Sequence, residues 1–225
     1  MFDVIHTRPR VEDAVLARLA ALDVATVHEA MGKRGAMSHE IKPIDHGMKC
    51  CGRAITVKCH PGDNLMLIKA VSMASQGDVI VADMGHIVDN GPFGEVLAVD
   101  CTTRGMAGLV VSCGVRDTEA LVERSFPVFS AGVSVFGTAK ASKGSINHPV
   151  VVGGVQVNPG DVVLGDCDGV AIIPFDEAET VATAAEKRRA GETVTMERLQ
   201  KGESLFDIYN YQKTFDALGV TEEGV

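Results

Sequence analysis

Two stretches of this 225-residue chain combine residue types that could do chemistry together: Gly91-Pro92-Phe93-Gly94-Glu95-Val96-Leu97 and Gly114-Val115-Arg116-Asp117. A glycine-rich turn feeding a helix leaves the backbone N–H groups of Glu95, Val96 and Leu97 without intrahelical partners, so they can face an anion. The apolar run Leu109–Val111 reads as a buried strand, and Arg116 and Asp117 follow it on the next loop, where open α/β sheets bind ligands. A cation, a carboxylate and a set of free amides at one sheet edge would hold a metal ion and an anionic substrate together. Each feature also has a plainer explanation. An aspartate before a helix is an ordinary N-cap, an exposed arginine is often half of a weak surface ion pair, and an acid in a first helical turn suits the helix dipole. Their arrival on adjacent loops of one inferred sheet is what points to a site.

Those loops need a scaffold, and the hydrophobic periodicity supplies one. Helices are expected over Asp13–Leu22, over Val24–Met31 with Asp23 as N-cap, and over Asn64–Ser75. Strands are expected at Arg53–Lys58 and Asp78–Ala82. The chain then passes through the glycine turn to a helix over Ala98–Arg104, a strand at Gly108–Ser112, a helix over Asp117–Arg124 and a strand at Val128–Ser130. This is a parallel β-α-β-α-β core with right-handed crossovers. After Gly137 come short β-rich runs, Val150–Val152, Val155–Val157, Val162–Leu164 and Val170–Ile173, separated by turn residues that suit hairpins or a small barrel-like sheet. From Asp176 onward the chain reads as helical: one helix closing at the charged run Glu186-Lys187-Arg188-Arg189, then Val194–Gln200 and Leu205–Leu218. Residues 1–175 are thus expected to form an α/β catalytic domain and 176–225 a helical extension. The apolar side chains of that extension need a surface to cover, and a neighbouring subunit is the expected one.

Composition narrows the function classes. A formal charge of -9 with no cluster of Lys and Arg argues against a nucleic-acid surface and against anionic membranes. No apolar run approaches a membrane span and the first residues do not read as a secretory signal, so a cytoplasmic protein is expected. The six cysteines lack C-x-x-C spacing and are read as reduced thiols, mostly small core hydrophobes, rather than a disulfide or zinc framework. His28 is read as a core-edge side chain. Asp166 and Asp168, in a D-C-D-G turn, are read as caps of backbone N–H groups rather than a metal pair.

The two loop motifs, followed by Gly153-Gly154-Val155, Pro159-Gly160-Asp161 and Asp168-Gly169-Val170, resemble the divalent-metal aldolases acting on 4-hydroxy-4-methyl-2-oxoglutarate and 4-carboxy-4-hydroxy-2-oxoadipate. The resemblance covers residues 23 to 175. It implies an α/β fold of the swivelling β/β/α (RraA-like) type, with a β-rich second layer, assembled as a homotrimer or homohexamer. It also implies that Asp117 is the direct ligand of Mg²⁺ or Mn²⁺, with water in most other positions, as magnesium prefers. Arg116 would hold the pyruvyl end of a 4-hydroxy-2-oxo diacid, and the Gly94–Leu97 turn, through the amides of Glu95, Val96 and Leu97, its C1 carboxylate. Glu95 would support water on the metal and help move protons. A further acid would come from an adjacent subunit, with Glu192 the candidate by position. The implied reaction releases pyruvate, with oxaloacetate decarboxylation as a side activity, in aromatic-acid breakdown. The same fold is shared by the regulator of ribonuclease activity A, an inhibitor of ribonuclease E that lacks the metal-binding aspartate and the glycine-acid loop. This chain keeps both. A Schiff-base aldolase is the rival within enzymology, with Lys58 or Lys69 as its lysine.

Overall fold

A computed structural model describes residues 3–85 and 88–221. The parallel core comprises β2 (Cys50–Lys58), β3 (Asp78–Asp83), β4 (Gly108–Val115) and β5 (Val128–Val133), preceded by a two-residue β1 (Lys42–Pro43). Its crossovers are α3 (Leu65–Met73), α4 (Glu95–Thr103) and α5 (Thr118–Glu123), and α1 (Asp13–Ala20) and α2 (Val24–Ala30) come before them. Strand pairing runs β5-β4-β3-β2 in parallel, as expected from the β-α-β pattern.

Period-two alternation divides each central strand between two cores. Ile80 and Ala82 of β3 pack with Leu67, Val71, Ala98, Cys101 and Leu121 of the crossover helices. Val79 and Val81 turn to the opposite face, against Phe129, Val150, Val152 and Val157. Every residue of β3 and β4 is buried, which explains why these strands read as continuous apolar runs rather than alternating ones.

The later β segments divide between two places. β6 (Ser145–Ile146) pairs with the end of β2, while β7 (Val150–Val152) and β8 (Val155–Val157) form a separate hairpin. Its two-residue turn, Gly153-Gly154, has φ of 56° and 77°, the doubly left-handed geometry that glycine supplies without steric cost. β9 (Val162–Asp166) and β10 (Gly169–Ile173) instead extend the main sheet by antiparallel pairing of β9 with β2. At the far edge β1 pairs with β5, and an Ala36–Ala171 bridge brings the segment before it to β10, so the sheet is nearly closed.

One capping expectation fails and another holds. Asp23 occupies the N-cap position of α2 but makes no side-chain cap bond there. The Val24 N–H is taken at 2.9 Å by Asp166 Oδ2, from the β9–β10 turn. Asp166 Oδ1 accepts the Asp168 N–H at 2.9 Å, so this carboxylate caps backbone at both oxygens, as the D-C-D-G reading expected of it, whereas among the described residues the Asp168 carboxylate meets only Cys167 Sγ, at 4.0 Å. The helix before Gly105 begins at Glu95 rather than Ala98.

The chain clusters into two compact units, Met1–Ala185 and Glu186–Val225. The expected break after Glu186-Lys187-Arg188-Arg189 is absent: α6 runs unbroken from Ala178 to Gln200. Charged long-chain residues are good helix formers, an Arg188–Glu192 ion pair at 2.8 Å spans one turn, and a single Gly191 costs only about 1 kcal/mol against alanine. The expected Leu205–Leu218 helix is two short ones, α7 (Leu205–Ile208) and α8 (Gln212–Ala217), interrupted where Asn210 adopts φ of 53°. Within this second unit Phe206 meets the rings of Tyr211 and Phe215 edge-on, and Ser204 caps α7 through the Asp207 N–H. Among the described residues no helix is long and apolar enough to cross a membrane.

Candidate functional site

Close backbone approach builds the site. Phe93 is fully buried and stacks on Phe126 at 5.8 Å, anchoring the turn before α4. The neighbouring Pro92 carbonyl accepts from Asn64 Nδ2 at 2.7 Å, and the Phe93 carbonyl accepts the Arg116 N–H at 2.9 Å. Gly91 donates to the Phe136 carbonyl at 2.8 Å, and a β-carbon on Gly91 would lie 2.2 Å from the Ser134 carbonyl oxygen. The turn is therefore held by β4, by the segment after β5 and by the N-cap residue of α3.

Gly94 has extended backbone that any residue could adopt, so conformational freedom does not explain it. Space does. A β-carbon there would sit 2.3 Å from Asp117 Oδ2 and 3.0 Å from Arg116 Cγ. The missing side chain lets Asp117 Oδ2 reach the Glu95 N–H at 3.1 Å. Asp117 itself is left-handed, with φ of 54° and ψ of 38°, a region costly for residues other than glycine and tolerated best by Asn and Asp. Its side chain makes no cap bond to α5. The plain N-cap explanation for Asp117 fails on this geometry, because the carboxylate is turned to the start of α4 instead.

The structure thus brings Gly94, Glu95, Arg116 and Asp117 together. Arg116 Nε lies 3.8 Å from Asp117 Oδ2, too long for a hydrogen bond, and the two side chains are 46% and 45% exposed. Val96 and Leu97 follow as the second and third residues of α4, where helix geometry leaves their N–H groups unpaired. The Glu95 N–H is already committed to Asp117. The Glu95 carboxylate pairs with Arg124, whose Nη2 and Nε reach Oε1 at 2.6 and 3.1 Å. Glu192 lies on α6 in the second unit, ion-paired with Arg188.

Asn64 and Arg124 were not singled out in the sequence. The Asn64 contact spans 28 residues and the Arg124 contact 29, so neither shows in a local pattern. A lone arginine just past a short helix gives no signal on its own.

The donor set suits a hard divalent cation. One half-exposed carboxylate, with one oxygen fixed by a backbone N–H and the other without a protein partner among the described residues, matches the sparse ligation that magnesium accepts. A grouping of Asp166, Cys167 and Asp168 also brings ligand atoms together, but Asp166 already caps two backbone N–H groups. The lysines of the Schiff-base alternative are poorly placed. Lys58 is half exposed and ion-paired with Asp83, and Lys69 is exposed on α3, so neither has the apolar enclosure that such an amine needs.

Comparison with known proteins bears on the family and the fold. The family model described as RraA-like (Aldolase/RraA) matches residues 24–172. A Halalkalibacterium halodurans protein named provisionally as a 4-hydroxy-4-methyl-2-oxoglutarate aldolase is 34% identical over 78% of this chain and 83% of its own. A similarly named protein of Ectopseudomonas mendocina is 31% identical over 55% of this chain and 75% of its own. Among solved structures, an uncharacterized Pseudomonas syringae protein superposes with a TM-score of 0.79 at 23% identity, covering 89% of this chain and 95% of that one. Streptomyces coelicolor RraAS2, described as an unusual member of the RNase ES inhibitor RraA protein family, gives 0.75 at 25% identity over 84% and 99%. With the motifs, the sheet order and these relatives in agreement, the chain belongs to the RraA-like aldolase/RraA family.

Proposed function

We propose that this chain is a divalent-metal-dependent pyruvate aldolase that cleaves 4-carboxy-4-hydroxy-2-oxoadipate, 4-hydroxy-4-methyl-2-oxoglutarate or both in the breakdown of aromatic acids. The observation that carries the reading is the approach of Asp117 to the Glu95 N–H across Gly94, with Arg116 beside it. A carboxylate that only capped α5 would not need the space left at Gly94.

Asp117 would hold Mg²⁺ or Mn²⁺ through the oxygen not committed to Glu95. When bound, the cation supplies Lewis-acid stabilisation of the negative charge that develops on the 2-oxo acid, worth several kcal/mol. Arg116 gives a fixed positive donor to the pyruvyl end, where the charge of the departing pyruvate enolate accumulates. The N–H groups of Val96 and Leu97 donate to the C1 carboxylate at the positive end of α4. Glu95 takes part in moving the proton from the C4 hydroxyl as the C3–C4 bond breaks. Loss of CO₂ from oxaloacetate yields the same enolate, so decarboxylation is the side activity of this site.

Arg116 and Asp117 are half exposed on the single chain. Val96, Val133, Val135 and Phe136, exposed by 82%, 64%, 84% and 63%, offer apolar surface beside them. This supports assembly as a homotrimer or homohexamer, with an acid such as Glu192 reaching the site from a neighbour.

Pyruvate release from the two diacids, with Mg²⁺, with EDTA and with Mg²⁺ restored, tests the reading. Metal-dependent turnover supports it; turnover indifferent to EDTA, or borohydride trapping of pyruvate on a lysine, refutes it. The likeness to RraAS2 favours one second reading, a non-catalytic inhibitor of ribonuclease E. Inhibition of that nuclease by protein that turns over neither diacid would establish it.

A further inference from the structure

The two ends of α5 grip the same residue of α4. Before the first turn of α5, Asp117 Oδ2 accepts the Glu95 backbone N–H. After its last turn, Arg124 donates from Nη2 and Nε to Glu95 Oε1. The chain is shaped for the second contact: Arg124 is the C-cap of α5, and Ser125 then takes φ of 54° to send buried Phe126 into the core. Both partners of the pair are 43% exposed, so as a surface ion pair it contributes little to stability. Its interest lies in where it keeps the Glu95 carboxylate.

Glu95 directly follows Gly94, whose α-carbon lies so near Arg116 that a β-carbon would come within 3.0 Å of Arg116 Cγ. Arg116 has no closer carboxylate among the described residues than Asp117, at 3.8 Å. An unrestrained Glu95 therefore has a second guanidinium within reach of its own side chain. A tethered carboxylate competes at high effective concentration with any free anion for the same cation.

We propose that Arg124 is a positioning residue that sequesters Glu95 from Arg116, keeping the Arg116 guanidinium free for the anionic oxo-acid end of the substrate. The same contact fixes one oxygen of Glu95 and leaves the other without a protein partner among the described residues. This rests on the aldolase reading of the site, and it gives the short helix between Asp117 and Arg124 a role as a strut of fixed length.

Pyruvate binding at saturating Mg²⁺, measured by titration calorimetry or ligand-observed NMR on the full chain, tests it without relying on turnover. Arg124→Ala should weaken pyruvate by about three- to tenfold, whereas Arg124→Lys should retain much of the affinity. The decisive variant is the double one. If Glu95 is the competitor, Arg124→Ala in a Glu95→Gln background has no further effect, because a neutral amide does not close on Arg116. Arg104→Ala, which removes a similarly exposed arginine paired with Asp100 at the other end of α4, should bind pyruvate as the wild type does. Pyruvate affinity unchanged in Arg124→Ala, or a loss that persists in the Glu95→Gln background, overturns the proposal. No saturable binding by the wild type would remove the aldolase reading itself, and the proposal with it.

Discussion

Gly94 and Asp117 work as a pair, since the hydrogen atom of one is the space in which the other's carboxylate sits. Gly94→Ala should fold normally, because the backbone there is extended, yet push the Asp117 carboxylate off the Glu95 N–H. The expected result is a loss of Mg²⁺-dependent pyruvate release of about a hundredfold, the scale of a 1 Å misplacement in a reacting site. Asp117→Ala should abolish metal dependence together with turnover, and near-normal kcat would return the residue to a structural role. Arg116→Lys should lower kcat/KM by about a hundredfold, the scale of removing one preorganised donor, because a point charge does not replace a planar fork. The two motifs stood out in the sequence because they fall on adjacent loops of one inferred sheet, although each residue type alone suits an ordinary turn. What lay hidden was the direction of the Asp117 side chain, since an aspartate before a helix looks the same whether it bonds that helix or the one before it. Arg124 and Asn64 were hidden for a different reason: their partners are set by tertiary packing.

At the scale of elements, Asp63 ties the start of α3 to the loop after β5. Its Oδ1 accepts the Leu65 N–H at 2.9 Å, and its Oδ2 accepts those of Ala141 and Ser142, at 2.6 and 2.9 Å. Burial works to raise the pKa of this carboxyl, but the backbone donors from Ala141, Leu65 and Ser142 outweigh it and hold the value below the ordinary carboxylate range. A folded-state pKa below the unfolded value of about 3.9 gives stabilisation that is fully present above that pH. It is lost as the pH falls through the folded value. Asp63→Asn should therefore destabilise at pH 7, with the difference from the wild type shrinking as the solution is acidified. Urea unfolding at several pH values measures this, and a pH-independent gap would contradict the linkage. The order of strands and helices was readable from period and turn chemistry. The continuity of α6 was not, because a charged run looks like an ending until its i,i+4 pairing is seen. Asp166 on α2 could not be inferred either, since that contact spans 142 residues.

Across the whole molecule the six cysteines sort by burial rather than by spacing, and all are free thiols. Burial pushes Cys51, Cys59, Cys101 and Cys113 up to about 12, and Cys50 upward as well. Cys167, in the β9–β10 turn, is exposed. A disulfide reagent at neutral pH should thus titrate one thiol quickly and the rest only on unfolding, and fast reaction of a second would contradict this packing. Cores on both faces of the central strands leave β4 buried throughout its length within the first unit. Arg116 and Asp117 are the first residues beyond it. Segments at the rim of a fold open more readily than a strand buried along its whole length. The backbone positions of Arg116 and Asp117 are then tied to a strand with no exposed residue, and wear falls on the rim rather than on the tool.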